Sequence, residues 1–131
     1  MTDLLDANVL IALVASEHEH HDVAADWLRR NEHVAVHPIV EGALVRFLIR
    51  VGESAAVAQR LVSEVRAAPA TEFWADGPSY ADVDLTGVIG HRQVTAVYLA
   101  AVAAAHDGRL VTFDESLVRL RPAETVLISA T

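Results

Sequence analysis

Short apolar runs alternate along this chain with longer stretches of helical periodicity. The runs that predict strands cover residues 2–6, 34–36, 71–74, 109–113 and 125–129, with a brief strand or extended stretch at 81–85. The stretches that predict helices cover residues 8–16, 21–31, 38–51 and 55–67, and a further one from His91 or Val94 to His106. This alternation indicates an α/β domain whose sheet is mostly parallel.

The length of 131 residues predicts a single domain, residues 1–131, with a substantial buried core. A hydrophobic fraction of 53% raises the question of a membrane span. The longest helical apolar stretch, residues 94–105, is half alanine and is well short of the ~20 residues that cross a bilayer. The first residues lack the positive start of a signal peptide, and the chain has no cysteine. We therefore expect a cytoplasmic protein without membrane contact.

Acidic residues follow the predicted strands. Asp6 closes the first strand, Asp114 closes the strand at 109–113, and Glu41 lies in the first turn of the helix after the strand at 34–36. Ligands of open α/β sheets bind outside the carboxyl ends of the strands, so these acids could face one site. The candidate ligands are carboxylate oxygens, and the chain has no cysteine that could act as a soft ligand. Such a site suits Mg²⁺ or Mn²⁺ better than zinc. The chemistry indicated is metal-dependent phosphodiester cleavage.

Each acid also has a purely structural interpretation. Asp6, together with Asn8, stands at a strand-to-helix turn where Asp and Asn are favoured helix caps. Asp114 could cap a helix that begins near Glu115. Glu41 could be stabilised by the helix dipole, by ~0.3–1 kcal/mol. The three acids together are a more specific signal than any one of them.

The net charge of −8 argues against broad, sequence-independent adhesion to nucleic acid. A narrow site bridged by a metal remains compatible with that charge. All ten basic residues are arginine. Arg46 and Arg50 lie four residues apart on the predicted helix of Glu41, where they could approach a phosphate or form surface salt bridges.

The histidines and tryptophans indicate structure more than chemistry. His18, His20 and His21 are too close in sequence for all three to converge on zinc, so a solvated polar loop or helix start is favoured. Trp27 and Trp74 are interpreted as core or interface anchors, because no basic stripe accompanies them.

Five short motifs in order carry a family resemblance. They are LLDANVL at 4–10, VEG at 40–42 with Arg46 downstream, GHRQVT at 90–95, YL at 98–99 and LVTFD at 110–114. Together they resemble PIN-domain proteins, and more closely the VapC ribonuclease toxins of bacterial type II toxin-antitoxin systems. The resemblance covers essentially the whole chain.

The resemblance implies a fold and a function. The fold would be a PIN-like three-layer α/β/α sandwich with a central, mostly parallel sheet. The function would be that of an endoribonuclease toxin that cleaves structured RNA with Mg²⁺ or Mn²⁺ in an acidic pocket. A homodimer is implied, as is a cognate VapB-like antitoxin that neutralises the toxin and provides its only route to operator DNA.

Family positions transfer to this chain residue by residue. Asp6, Glu41 and Asp114 match the catalytic, metal-binding acids, with Asn8, Thr112 and Arg46 as support. One position departs from the pattern: the family motif reads Thr-Asp before the Tyr-Leu pair, whereas here Thr95 is followed by Ala96. We interpret Ala96 as replacing a catalytic aspartate, introduced to disarm the toxin or lost naturally. This replacement predicts weak metal binding and impaired turnover.

Two other functions are compatible with the sequence. The first is a degenerate, non-catalytic PIN domain that only captures its antitoxin, which Ala96 supports. The second is a structure-specific DNA nuclease, which preferential cleavage of DNA flaps would reveal.

Overall fold

The computed structural model describes residues 1–31 and 33–129, and within them strands and helices alternate. The strands are β1 (Asp3–Leu5), β2 (Val34–Val36), β3 (Thr71–Phe73), β4 (Leu110–Thr112) and β5 (Thr125–Leu127). The helices are α1 (Ala7–Val14), α2 (His21–Arg29), α3 (Pro38–Arg50), α4 (Ala55–Ala67), α5 (Arg92–Ala105) and α6 (Glu115–Leu120). The predicted α/β/α sandwich is confirmed.

The five strands form one sheet in the order β3-β2-β1-β4-β5, and every neighbouring pair is parallel. From β1 the chain first builds β2 and β3 on one side, and then crosses to β4 and β5 on the other. The connections that leave β1 and β4 therefore run in opposite directions. A parallel sheet opens a ligand-binding crevice at such a switch point, outside the carboxyl ends of the two strands.

The hydrophobic core lies on the sheet and along the helices packed against it. Strands β1, β2 and β4 are buried along their whole length, as expected for parallel strands covered on both faces. Trp27 and Trp74 are 9% and 6% exposed and belong to this core, in line with their predicted role as anchors. Among the described residues, no helix combines the length and the apolar character needed to cross a bilayer.

The predicted strand or extended stretch at 81–85 is wrong at its start. Residues Tyr80–Asp82 form a turn of 3-10 helix instead. Local polar contacts decide the conformation: the Ser79 hydroxyl accepts a hydrogen bond from the amide of Ala81, and the Ser79 carbonyl accepts one from Asp82. Serine at this position favours a turn over an extended strand.

Several predicted bounds were too wide. The strands at 2–6, 109–113 and 125–129 contain three residues each, and α2 ends at Arg29. The first strand stops at Leu5 because Asp6 is already the N-cap of α1.

Candidate active site

Three neighbouring strands each lead to one of the predicted acids. Asp6 follows β1 directly, Asp114 directly follows the segment β4-Phe113, and Glu41 lies in the first turn of α3, just beyond β2. Because β2, β1 and β4 are adjacent and parallel, all three acids belong to the carboxyl edge of the sheet. Asp6 and Asp114 flank the switch point between β1 and β4.

Asp6 is a buried carboxylate held in a fixed orientation. Asp6 is only 8% exposed. Oδ1 accepts a 2.8 Å hydrogen bond from the amide of Ala7, which caps α1. Oδ2 accepts a 2.7 Å hydrogen bond from the hydroxyl of Thr112. The capping role considered from the sequence is thus correct, and a second contact reaches across the sheet to β4.

Thr112 connects the polar groups around Asp6. Its hydroxyl oxygen, fully buried, accepts hydrogen bonds from Nδ2 of Asn8 at 3.4 Å and from the amide of Asp114 at 3.1 Å. The structure therefore brings Asp6, Asn8, Thr112 and the backbone of Asp114 into one hydrogen-bonded group. Its members come from two segments that are more than a hundred residues apart.

The two carboxylates of this group have opposite pKa shifts. Burial raises the pKa of Asp6, against the hydrogen bonds from Thr112 and Ala7, and the negative charge of Asp114 adds to the increase. Hydrogen bonds from Ser116 lower the pKa of the exposed Asp114, whose side chain also caps α6. A proton is therefore bound more tightly by Asp6 than by Asp114. Pairs of carboxylates with separated pKa values are common in sites that handle protons or cations.

Glu41 carries an unsatisfied oxygen. Oε2 of Glu41 and Oδ1 of Asn8 are both buried, and neither has a hydrogen-bond partner among the described residues. Burial raises the pKa of Glu41, and the positive charge of Arg66 opposes this increase. Buried acceptors are normally paired, so each orphaned oxygen requires an explanation, such as a bound ion. No hydrogen bond links the Glu41 side chain with Asp6 in the described structure, so convergence of the three acids stays a prediction.

The oxygens at this edge fit a magnesium-like cation better than a zinc-like one. Among the described residues, no three His, Cys, Asp or Glu side chains are grouped closely enough to hold a metal on their own. Mg²⁺ does not require such a cage, because it keeps several waters and binds through one or two carboxylates and substrate phosphates. Asp6, Asp114 and the orphaned oxygens of Asn8 and Glu41 supply donors of this hard type.

Comparison with known proteins decides the family. The PIN domain family matches residues 4–121. The chain is 54% identical over 132 residues, covering 100% of this chain and 99% of the other, to "Ribonuclease VapC29" of Mycobacterium tuberculosis. It belongs to the VapC family of PIN-domain proteins. Ribonuclease VapC39 of the same species is 36% identical, with 89% of this chain and 91% of the relative aligned.

A solved structure shows the same PIN fold. It is described as the crystal structure of VapBC2 from Rickettsia felis bound to a DNA fragment from their promoter. The TM-score is 0.69 at 16% sequence identity, and the match covers 98% of this chain and 100% of that one. The resemblance inferred from the five sequence motifs is therefore confirmed at the level of family and fold.

Two further predicted positions of this VapC-family chain lie on helices. Ala96 is in the early part of α5, half-buried against the hydrophobic core. Arg46 is exposed on α3, and its Nη1 lies 3.5 Å from where a Cβ on Gly42 would be. Neither the role of Ala96 nor that of Arg46 is tested by these positions.

The sequence reasoning missed two residues near the site. His37 follows β2, is 5% exposed, and caps α3 by accepting a 3.1 Å hydrogen bond from Ile39 at Nδ1. Burial lowers the pKa of His37, and His106 lowers it further. A histidine before a helix-starting proline was an available signal. Arg66, which acts on Glu41, belongs to α4, and nothing in the local sequence pointed to it.

The histidine cluster of this PIN domain is structural. Nδ1 of His18 accepts a hydrogen bond from the amide of His20, and Nδ1 of His21 donates to the carbonyl of Ala12. The ring of His20 packs against Phe113 with centroids 5.0 Å apart. These contacts support the interpretation as a polar loop and helix start rather than a zinc site.

Proposed function

We propose that this protein is an endoribonuclease toxin whose active site is the carboxyl edge of β1, β2 and β4. The observation that carries the proposal is the buried Asp6 carboxylate, which is joined through Thr112 to Asn8 and to the backbone of Asp114 at the carboxyl edge of the sheet. Burying a carboxylate lowers the stability of the fold. Its presence here therefore indicates a functional role. Relatives aligned over 100% and 89% of this chain are named ribonucleases.

In this proposal Asp6, Asp114 and Glu41 are the acids that would hold the metal together with waters and substrate phosphates, since among the described residues no three side chains form a metal cage on their own. Bound Mg²⁺ or Mn²⁺ would orient a water for attack on the scissile phosphate and offset the charge on the leaving oxygen. Thr112 and the amide of Ala7 each donate a hydrogen bond to one oxygen of Asp6 and thereby fix the orientation of the carboxylate. The side-chain carbonyl oxygen of Asn8 has no hydrogen-bond partner among the described residues and can accept a hydrogen bond from water or a ribose hydroxyl.

The proposal extends to partners. The substrate is structured RNA, and a VapB-like antitoxin neutralises the toxin and provides its only link to operator DNA. The PIN-domain neighbour was solved as a VapBC complex on DNA, which supports such a partner. A homodimer is also proposed, because Ile49, Val51 and Ile89 are 47%, 58% and 95% exposed. In this proposal they contribute to a contiguous apolar patch, the kind of surface that marks an interface.

Ala96 makes the protein as given a weak enzyme in this proposal. The family aspartate at this position would add a fourth oxygen donor to the site. Placement errors of ~1 Å can cost about 10²-fold in rate. Alanine is the best helix former, so the change preserves α5 while it removes the carboxylate.

The test compares RNA cleavage by the protein and by Ala96→Asp, with total RNA, Mg²⁺ or Mn²⁺, and cleavage-site mapping. We expect Ala96→Asp to be about 10²-fold faster. Thermal unfolding with and without Mn²⁺ gives a second readout, because a restored ligand should increase the shift in Tm that metal produces. Asp6→Asn in the Ala96→Asp background is the inactive control.

The outcome also separates the alternatives. Inactivity of both proteins would favour a non-catalytic PIN domain that captures its antitoxin, which Ala96 supports. Preferential cleavage of DNA flaps would identify a DNA nuclease. Equal RNA cleavage by both proteins would show that position 96 is outside the site.

A further inference from the structure

A shallow groove of about 390 Å³ runs between α1 and α3, lined by Ile11, Ala43, Arg46, Phe47 and Arg50. Both helices start at the carboxyl edge of the sheet, and they pack against each other. Ile11 lies one turn after Asn8, and Ala43 lies two residues after Glu41. The groove therefore leads away from the candidate active site.

Arg46 extends back along α3 toward that site. Its Nη1 lies only 3.5 Å from where a Cβ would be on Gly42, one turn nearer the N-terminus of the helix. Glu41 is the immediate neighbour of Gly42. The absence of a side chain at position 42 thus leaves room for the guanidinium beside the acidic edge.

Arg50 continues the same row one turn further along α3. Its guanidinium carbon lies 5.7 Å from the centroid of the Phe47 ring, within the range of a cation–π contact. Residues four apart on a helix occupy the same face, separated by about 6 Å along the axis. The groove therefore has two positive charges on one face of α3 and the aromatic ring of Phe47 in contact with Arg50.

Neither arginine is neutralised within the described residues. Arg29, Arg30 and Arg109 each lie within 4.0 Å of a carboxylate, whereas Arg46 and Arg50 have no such ion pair. The surface salt bridges considered from the sequence are thus not formed in the described structure. In a chain with a net charge of −8, two adjacent unpaired guanidiniums create a local preference for anions.

We propose that the α1–α3 groove binds the RNA strand on one side of the scissile bond, with Arg46 and Arg50 contacting successive phosphates. The proposal rests on the ribonuclease function proposed above and assigns a binding surface to it. Guanidinium forks match phosphate oxygens, and the apolar wall of Ile11 and Phe47 suits a ribose or base face. This row of two arginines explains how an acidic protein could bind RNA without a broad basic surface.

The test measures binding of a fluorescein-labelled, ten-nucleotide single-stranded RNA by anisotropy over a series of salt concentrations. The unsubstituted protein is compared with Arg46→Gln/Arg50→Gln and with the control Arg29→Gln/Arg60→Gln, which removes the same charge from other helices. We expect the first pair to weaken binding about tenfold and to reduce the salt slope by about 1.4, since each phosphate contact on a single strand contributes about 0.7. The control should change neither quantity substantially.

Equal effects of the two double variants would overturn the proposal, since net charge alone would then explain the loss. Absence of RNA binding by the unsubstituted protein would also overturn it, as would tighter binding of the matching DNA strand. Both double substitutions are also introduced into Ala96→Asp, so that failure of the groove proposal can be distinguished from failure of the ribonuclease proposal. Undiminished cleavage after Arg46→Gln/Arg50→Gln would reject the groove and retain the ribonuclease, whereas inactivity of Ala96→Asp itself would reject the ribonuclease.

Discussion

The Thr112 hydroxyl donates a 2.7 Å hydrogen bond to Oδ2 of Asp6 across the boundary between β4 and β1. Both residues are buried. The contact therefore joins the two strands at the switch point of the sheet and at the same time satisfies a buried carboxylate. Its energetic consequences can be measured without knowledge of the substrate.

Thr112→Val should destabilise the protein by about 1.5–3 kcal/mol at pH 7, because the lost hydrogen bond is to a charged group. The matched control is Thr125→Val, which removes a 2.7 Å hydrogen bond from a buried threonine to the neutral carbonyl of Arg121, at a cost of about 0.5–1.5 kcal/mol. Urea unfolding measures both. The difference between the two variants in free energy of unfolding should become smaller at acidic pH, where Asp6 becomes protonated. A constant difference would contradict the charge-assisted interpretation.

Asp6→Asn should stabilise the fold at neutral pH while it removes activity from the Ala96→Asp protein by ~10²-fold or more. Because burial raises the pKa of Asp6, the native state holds its proton to higher pH than the unfolded state. Stability is therefore lost as pH rises from the ordinary aspartate pKa through the raised one. Asparagine remains neutral and keeps an acceptor for Ala7. Unfolding with EDTA at several pH values tests this, and lower stability of Asp6→Asn at pH 7 would contradict it.

His37→Asn should flatten the pH dependence of stability on the acidic side of neutrality. The pKa of His37 is lowered by burial and by His106, so the unfolded state takes up its proton first as the pH falls. Stability is thus lost below the ordinary histidine pKa of about 6.5. Protonation of Nδ1 also removes the cap of α3, a contact of about 0.5–2 kcal/mol. Asparagine is a good, uncharged cap, and parallel curves for the two proteins between pH 7.5 and 5.5 would reject the prediction.

Gly108→Ala should destabilise the protein by about 1–3 kcal/mol. A Cβ at this position would collide with the backbone oxygen of Thr2, which has no flexible end that could move away. Gly90 is the matched control, because no atom of the described residues lies within 4 Å of the corresponding Cβ and the φ angle of Gly90 is not in the positive range. Gly90→Ala should be neutral or stabilising by ~0.4–1 kcal/mol. Thermal unfolding of both variants distinguishes a specific contact from a general effect of removing glycine.

Much of the architecture could be predicted because local pattern and burial agree. Strand β2 was predicted at its observed bounds, since Val34–Val36 is a continuous apolar run in the middle of the sheet. Helix α3 was indicated by its apolar spacing, and Gly52 just beyond it has the positive φ that suits a helix end. The prediction of a strand or extended stretch at 81–85 was wrong at its start, because the hydrogen bonds of Ser79 stabilise a turn of 3-10 helix there.

The acids at strand ends could be predicted, but their interactions could not. Proximity of Asp6 to Asp114 follows from parallel strands, whereas the bridge through Thr112 depends on side-chain rotamers of residues more than a hundred positions apart. The effect of Arg66 on Glu41 depends on how α4 packs on α3. Hydrophobic periodicity predicts which face of a helix is buried, but it does not predict which residues of a neighbouring helix an arginine side chain approaches.

The pairing of β1 with β4 rather than with the next strand in the chain has a consequence during protein synthesis. Thr112, the hydrogen-bond partner of Asp6, is synthesised 106 residues later. At typical rates of ~5–20 residues per second, this interval takes about 5–20 s. A nascent chain that has completed only β1, β2 and β3 holds two of the acids but neither Thr112 nor Asp114. About four-fifths of the chain is therefore synthesised before β4 begins, and the hydrogen-bonded group of Asp6, Asn8, Thr112 and Asp114 can form only after β4 has emerged from the ribosome.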